Sequence, residues 1–377
     1  MKQDITWVGI DDHKRSLTVG VVRGEEREPR IEVVANEDRA LRRWVRKLER
    51  ESEGGEIRMC YEAGPNGYSL KRRLESMGSV VVEVMAPSLT PRRPGRRMKT
   101  DPIDARKLVG LYRSGELTEV STPTESDEAA RDLVRLHYRV GEEAHRKRQH
   151  ILKFLTRRGR IYGSRHWTGV HWKWLREQKW EHEQDETHFE ELLTGLRELE
   201  DRRGRLAEAM ETLAQEDRYR QQVGLLRCFH GVDTQAAITV ASEIFDIERF
   251  SSPRGLMAYV GLVPTVSQSG EQIARHGSIT KTGNRYVRWI LGQVAWHARR
   301  PPRVGYRLKK RREGQPAWAI ELANRAQRRC HKRYWALVNR GVLPQRAVVA
   351  VARELIGFLW EGLTEVERRS RAKGQAA

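Results

Sequence analysis

The sequence predicts a mixed α/β domain first, then a helical hairpin, then a mostly helical C-terminal domain. Three observations carry this. Short β-branched runs alternate with helically spaced segments up to about residue 125. Residues 189–213 then carry an apolar seam at alternating three- and four-residue steps. Beyond about Leu225 the apolar spacing is mainly helical. At 377 residues the chain exceeds what one core usually serves, so several domains are expected. The predicted boundaries are 1–125, 126–222 and 223–365, with a flexible tail over 366–377.

Taken in order, Ile5–Ile10 reads as a buried strand and Leu17–Val22 as its antiparallel partner across a short polar link. Ile57–Tyr61 and Val80–Met85 are further strands, and Gly67–Met77 and Pro102–Ser114 have helical spacing. An antiparallel pair followed by βα units makes a mixed sheet. From about Ser126 a helix places Leu133, Leu136, Val140, Ile151 and Leu155 on one face, and Gly159–Trp180 breaks it with four tryptophans. The seam that follows runs through Phe189, Leu192, Leu196, Leu199, Leu206, Met210 and Leu213, with Arg203 as its one polar interruption. It suits either a coiled-coil dimerisation arm or a pair packed within one subunit. Gln235–Phe245, Pro253–Val260, Asn284–Ala298 and Ala317–Arg340 are the predicted helices of the last domain, and Arg368–Ala377 reads as a frayed tail.

Charge narrows the function. Lys and Arg number 71 against 51 Asp and Glu, giving +20 and a pI near 10.2. That balance favours a polyanionic partner held through phosphates, with affinity that falls steeply with salt. Dense basic runs lie at Arg92–Lys99 and Arg299–Arg312. A ribosomal protein would be smaller and of lower complexity. Three distant cysteines, Cys60, Cys228 and Cys330, exclude a disulfide framework and a Cys-rich zinc site. With no signal-peptide pattern and no apolar run of membrane-spanning length, the expectation is a cytoplasmic, nucleoid-associated protein with no membrane partner.

Four acids stand out by placement. Asp11 ends the first strand, Glu62 ends the third, and Asp101 and Asp104 open a helix three residues apart, on one face. Carboxylates converging from strand ends and a helix can hold two hard divalent cations for in-line phosphoryl displacement. Oxygen ligands favour Mg²⁺ or Mn²⁺ over zinc. Each acid also has an ordinary reading: Asp101 before Pro102 as a helix N-cap, Asp104 as a partner of the helix dipole, Asp11 as a turn residue. Strand alternation sends Asp11 and Asp12 to opposite faces, so only one of them can face such a centre.

Gly9-Ile10-Asp11, Tyr61-Glu62-Ala63-Gly64-Pro65, Ala86-Pro87-Ser88, Lys99-Thr100-Asp101 and Asp104-Ala105 resemble, in order and spacing, the N-terminal domain of DEDD-type insertion-sequence transposases. Gly261-Leu262-Val263-Pro264, Ser269-Gly270, Ile279 through Asn284 and Val287-Arg288 resemble the second block of that family. The resemblance implies an RNase H-like first domain, similar to Holliday-junction resolvases, with Asp11, Glu62, Asp101 and Asp104 as metal ligands. It implies Ser269 as the nucleophile, forming a phosphoserine link to DNA, with acids and serine meeting across subunits of a homo-oligomer. It further implies a structured non-coding guide RNA that pairs with donor and target DNA. Asp12 and Asp233 depart from the family pattern.

On chemistry alone Ser267 is an equal candidate to Ser269, and the resemblance selects Ser269. Arg275, Lys281, Arg285 and Arg288 crowd the following positions as candidate phosphate contacts, and Gly277, Gly283 and Asn284 permit close backbone approach to a phosphate. Lys309 and Lys310, in the run from Arg299 to Arg312, are candidate nucleic-acid contacts; a solvated loop is the ordinary alternative. The segment Phe229–Asp233 with Ala236-Ala237 resembles the hairpin of a helix-hairpin-helix element, or else a turn capped by Asp233 or Thr234. The Trp-rich stretch suits an apolar cluster slightly better than base stacking, and His166 and His171 have no ligand partners at zinc spacing. The predicted function is excision and insertion of an insertion sequence. The alternatives are a hydrolytic structure-specific endonuclease, with water replacing the serine, and a non-catalytic nucleic-acid-binding relic.

Overall fold

A computed structural model describes residues 5–91, 100–267 and 275–374. The chain divides into two compact units, Met1–Thr122 and Pro123–Ala377. The helical hairpin and the region after it both fall within the second unit.

The first unit is a five-stranded sheet in the order β3-β2-β1-β4-β5, formed by β1 (Thr6–Asp12), β2 (Ser16–Arg23), β3 (Arg30–Ala35), β4 (Ile57–Glu62) and β5 (Val80–Met85). The first three strands form an antiparallel meander, while β4 lies parallel to β1 and β5 parallel to β4. This is the mixed sheet that the sequence predicts. Helices α1 (Asp38–Glu51) and α2 (Ser69–Glu75) bury Leu41, Trp44, Val45, Leu48, Leu70 and Leu74 with Val8, Ile10, Met59, Tyr61 and Val82. Helix α3 (Asp101–Arg113) packs on β1 and β2, and its Leu108 and Tyr112 cluster with Trp7, Cys60 and Met85. Strand alternation sorts these two sets of side chains onto opposite faces.

Neither β3 nor α1 is predicted from the sequence. Strand β3 is an edge strand with Arg30, Glu32 and a 71% exposed Val33, so it lacks the usual buried alternation.

The second unit begins with α4 (Glu125–Thr156), which packs along α6 (Glu183–Leu213). The Arg158–Asp185 and Arg148–Glu200 pairs and the Arg203–His137 contact run in opposite directions along the two helices, so the pair is antiparallel. The predicted seam is thus filled by α4 of the same chain. Between them α5 (Gly169–Arg176) closes the hairpin: Trp167, Trp172, Trp174 and Trp180 pack against Phe154, Leu155, Leu175 and Phe189. The tryptophans are an apolar cluster, as the sequence suggests.

The remainder comprises α7 (Asp217–Arg227), α8 (Thr234–Ile244), α9 (Pro253–Val260), a ribbon of β6 (Pro264–Ser267) and β7 (Arg275–Ile279), α10 (Arg285–Ala295), α11 (Tyr306–Arg312), α12 (Ala317–Val338) and α13 (Pro344–Gly374). Asp233 caps α8 by accepting from the Ala236 amide at 2.8 Å, which supports the turn-and-cap reading of that segment. Helix α13 continues past Arg368, where fraying was expected, to Gly374. Its Val348, Val351, Leu355, Leu359 and Leu363 are buried at helical spacing, and that face holds the helix to the core.

Candidate active site

The geometry of the acids follows from strand register. In the parallel pair Ile10 lies opposite Tyr61, so Asp11 and Glu62 occupy the next positions on neighbouring strands. By alternation Asp11 shares a face with Gly9, and Glu62 with Cys60; both of these lie under α3. Gly9 explains how close that helix comes. A Cβ there would stand 2.4 Å from the Val109 amide nitrogen, and one on its cross-strand partner Gly20 3.0 Å from the Ala105 carbonyl. The two glycines seat the α3 backbone directly on the sheet and bring its acidic first turn to the strand ends.

Asp101 is the first residue of α3 and does not serve as its cap. Thr100 holds the cap position, without a side-chain cap bond. This corrects the ordinary reading of Asp101 and leaves its carboxylate to the site. The side chain of His13, in the turn between β1 and β2, has its Nε2 3.3 Å from Asp11 Oδ2 and 3.4 Å from Asp101 Oδ2. The ligand atoms of Asp11, His13 and Asp101 all lie within 4.8 Å of one another. Asp104 is close enough to act electrostatically on Asp11.

Glu62 lies outside that tight group. It lines the adjoining open cleft of ≈ 580 Å³ with Asp11, Asp104, Pro87, Thr90 and Lys107. There the Thr90 hydroxyl donates to Glu62 Oε1 at 2.8 Å. Burial, more than any other influence, raises the Asp11 pKa. His13 opposes this, and the neighbouring Asp101 and Asp104 charges add to it. Asp12 leaves on the opposite face, where Asn36 Nδ2 donates to its Oδ1 at 3.4 Å. Asp12 nevertheless also lines the cleft, while Asp11 joins the group with His13 and Asp101.

Two residues near the acids, His13 beside Asp11 and Asp101 and Lys107 in the cleft, were not singled out from the sequence. His13 follows the strand-end acid within one short turn, and Lys107 lies one turn beyond Asp104; proximity was their only signal.

In the second unit, Ser269 and the side chain of Arg275 lie outside the described residues, as does the basic run Arg92–Lys99 of the first. The flanking framework is described. Gly261 and Gly283 have positive φ, and a Cβ on either would stand 2.0–2.1 Å from a backbone carbonyl, Tyr259 or Thr282. Those glycines serve backbone-to-backbone approach here, and Gly277 serves approach to Thr265. Asn284 caps α10, its Oδ1 accepting from the Tyr286 and Val287 amides at 3.0 Å.

The candidate phosphate contacts divide into two groups. Lys281, Arg285, Lys309 and Lys310 are exposed. Arg288 instead donates to the carbonyls of Val260 (2.6 Å) and Thr282 (3.2 Å), so it ties the loop to α9. Arg312, which ends the second basic run, is buried and donates to the Cys228 carbonyl at 2.8 Å. That run is not a uniform solvent-facing strip, because its last member anchors α11.

Residues 8–158 match the model of the DEDD transposases of IS110 type, and residues 223–308 match the IS116/IS110/IS902 transposase family. A Sinorhizobium fredii protein named as a transposase, y4qE, is 41% identical over 360 residues, covering 94% of this chain and 87% of that protein. The transposase for insertion sequence element IS1533 of Leptospira borgpetersenii is 30% identical over 350 residues, covering 92% of this chain and 99% of its own length. The chain belongs to the IS116/IS110/IS902 family of insertion-sequence transposases, enzymes that act on DNA.

Proposed function

We propose that Asp11, Glu62 and Asp104, which line the cleft, together with Asp101 beside Asp11 form the strand-cleaving centre of an RNase H-like domain, and that Ser269 is the nucleophile. The observation that carries this is the convergence of Asp11 and Glu62, on one face of adjacent parallel strands, beneath the acidic first turn of α3. DEDD transposases are expected to use divalent metal, and this donor set suits it. The oxygens are hard, and like charge around a half-buried Asp11 is what a bound cation offsets. When bound, Mg²⁺ or Mn²⁺ would neutralise charge on the phosphate and on the attacking and leaving oxygens.

The chain's own residues supply the rest. Thr90 orients Glu62, and Lys107 places a cation at the cleft for a non-bridging phosphate oxygen. When protonated, His13 holds Asp11 and Asp101 together. Attack of the Ser269 hydroxyl on phosphorus forms a phosphoserine ester and releases one DNA end, the serine proton finishing on the leaving oxygen. Transfer to a second DNA end reverses the step, which moves the element without loss of bond energy.

The family resemblance supports two further parts of the reading: a homo-oligomer in which acids and serine meet, and a non-coding RNA that selects the sites by base pairing. Trapping a covalent protein–DNA adduct tests the mechanism. The adduct should form with wild type and be absent in Ser269→Ala. Strand cleavage that persists in Ser269→Ala with no adduct would establish a hydrolytic nuclease instead.

A further inference from the structure

A second cavity lies wholly within the helical unit. It encloses ≈ 1060 Å³ between α4, α6, α8 and α10, a volume that accommodates small ligands. Its origin is visible in the sequence. Arg203 interrupts the apolar seam of α6, and it stands opposite Gly141 of α4, whose missing side chain leaves the guanidinium free to reach His137. Where Leu199 and Leu206 would continue a closed seam, the two helices part around a polar space.

Three features of the lining identify an occupant. Tyr138, Tyr286 and Trp289 form an edge-to-face aromatic group, with centroids 5.4 Å and 5.1 Å from Tyr138, and Trp289 is 54% exposed. The cationic residues Arg146, Arg148, Arg203 and Arg285 outnumber the acids Glu142 and Asp233 in the lining, and Asp233 is engaged as a helix cap. Finally, His137 is only 5% exposed, its Nε2 accepts from Arg203 Nε at 3.3 Å, and its Nδ1 has no partner. With Nε2 accepting, the proton of a neutral imidazole lies on Nδ1, buried within the cavity wall, and the Arg203 contact fixes the ring there.

We infer that this cavity binds an unpaired nucleotide of the DNA strand being processed, with its base stacked on the exposed face of Trp289 and its phosphates against Arg146 and Arg285, the latter already held over Tyr286. A duplex keeps its base faces within its own stack, so exposed aromatic faces select unpaired bases. Strand cleavage by a transposase supplies such unpaired ends. The inference rests on family membership and is independent of the carboxylate cleft and of Ser269.

Binding of the full-length chain to a fluorescent oligothymidylate, an oligouridylate of equal length and an equal-length DNA duplex tests it. Trp289→Ala is expected to weaken oligothymidylate binding about tenfold and duplex binding less than about twofold. Trp289→Phe, which keeps an aromatic face, should retain most of the affinity. Equal losses for duplex and single strand, no loss for oligothymidylate, or a loss confined to oligouridylate would each overturn the assignment. A measurement on the unaltered chain guards against a folding defect. Photocrosslinking of 5-iododeoxyuridine in the oligomer should label Tyr138, Tyr286 or Trp289; labelling only elsewhere overturns it.

Discussion

Asp11 in the sheet unit and Glu243 in the helical unit are both carboxylates held by the fold, in opposite surroundings. Glu243 is fully buried, yet Arg135 grips it through two bonds of 2.7 and 2.9 Å. Arg131 lies 3.5 Å away and Asn284 Nδ2 donates to it at 2.7 Å. Its charge is met from several directions, and through Asn284 it fixes the start of α10. Asp11 is less buried but faces Asp101 and Asp104, and the His13 imidazole opposes them. The fold holds Asp11 where its charge is disfavoured. A carboxylate matched by cations maintains structure; one crowded by like charge has the surroundings that the proposed chemistry requires.

The largest expected effect separates the two directly. Asp11→Asn should lower DNA strand cleavage by at least about a thousandfold, because charge stabilisation at a metal-assisted phosphoryl centre contributes several kcal/mol. The same change should leave the melting temperature unchanged or raise it by roughly 2 °C, since it removes a disfavoured charge. The sign follows from the raised pKa. The folded chain binds its proton more tightly than the unfolded chain does, so this group's contribution is full at low pH and is lost as pH rises through the folded pKa. A variant that loses stability together with activity would place Asp11 in the same class as Glu243.

The converse variant should act through stability. Glu243→Ala leaves the partly buried Arg131 and Arg135 without their counter-charge and is expected to destabilise the helical unit by about 3 kcal/mol, read by denaturant unfolding. Asparagine 284 would lose its carboxylate partner as well. A fall in cleavage at full stability would instead give Glu243 a direct part in the reaction.

Gly9→Ala probes how the sheet unit positions its acids. A methyl group 2.4 Å from the Val109 nitrogen must push α3 off the sheet. The expected cost is about 1–3 kcal/mol. Cleavage should fall further than the lost folded fraction explains, since Asp101 and Asp104 move with the helix. Activity that tracks the folded fraction alone would show that the seat of α3 does not set the site.

The comparison also explains what was legible in the sequence. Asp11, Glu62, Asp101 and Asp104 could be placed at strand ends and on a helix face because alternation and helical spacing are local properties. That β1 and β4 are neighbours in parallel, with Ile10 opposite Tyr61, is a long-range fact that no local pattern contains. His13 escaped notice because its importance comes from α3, which lies some ninety residues away in the chain. Glu243 escaped because a single acid in an apolar helix gives no sign of the two arginines that meet it. Helix α1 was readable, since Leu41, Trp44, Val45 and Leu48 carry the helical spacing, whereas the charged edge strand β3 was not. Arg203 was visible as an interruption of the seam, but only its juxtaposition with Gly141 and His137 gives that interruption a purpose.

The smallest expected effect concerns pH and the helical unit. His230 and His297 face one another with ring centroids 5.1 Å apart. Burial, together with the charges of His297, Arg311, Arg300 and Arg312, lowers the His230 pKa to about 4. Burial lowers His297 as well, with Arg300, Arg299 and Arg311 acting in the same direction. An unfolded chain takes up the His230 proton near pH 6.5, while the folded one resists until about pH 4. The stability that neutral His230 contributes is therefore complete above about pH 6.5 and is lost as pH falls toward 4. Partial exposure limits the His230 share to about 1–2 kcal/mol. His230→Gln should flatten the stability profile over that interval while leaving neutral-pH stability nearly unchanged. The Asp11 effect runs the other way, so acid unfolding that begins with the helical unit is the expected order. Amide exchange that showed the sheet unit opening first on acidification would contradict the contrast between a crowded carboxylate and a buried neutral imidazole.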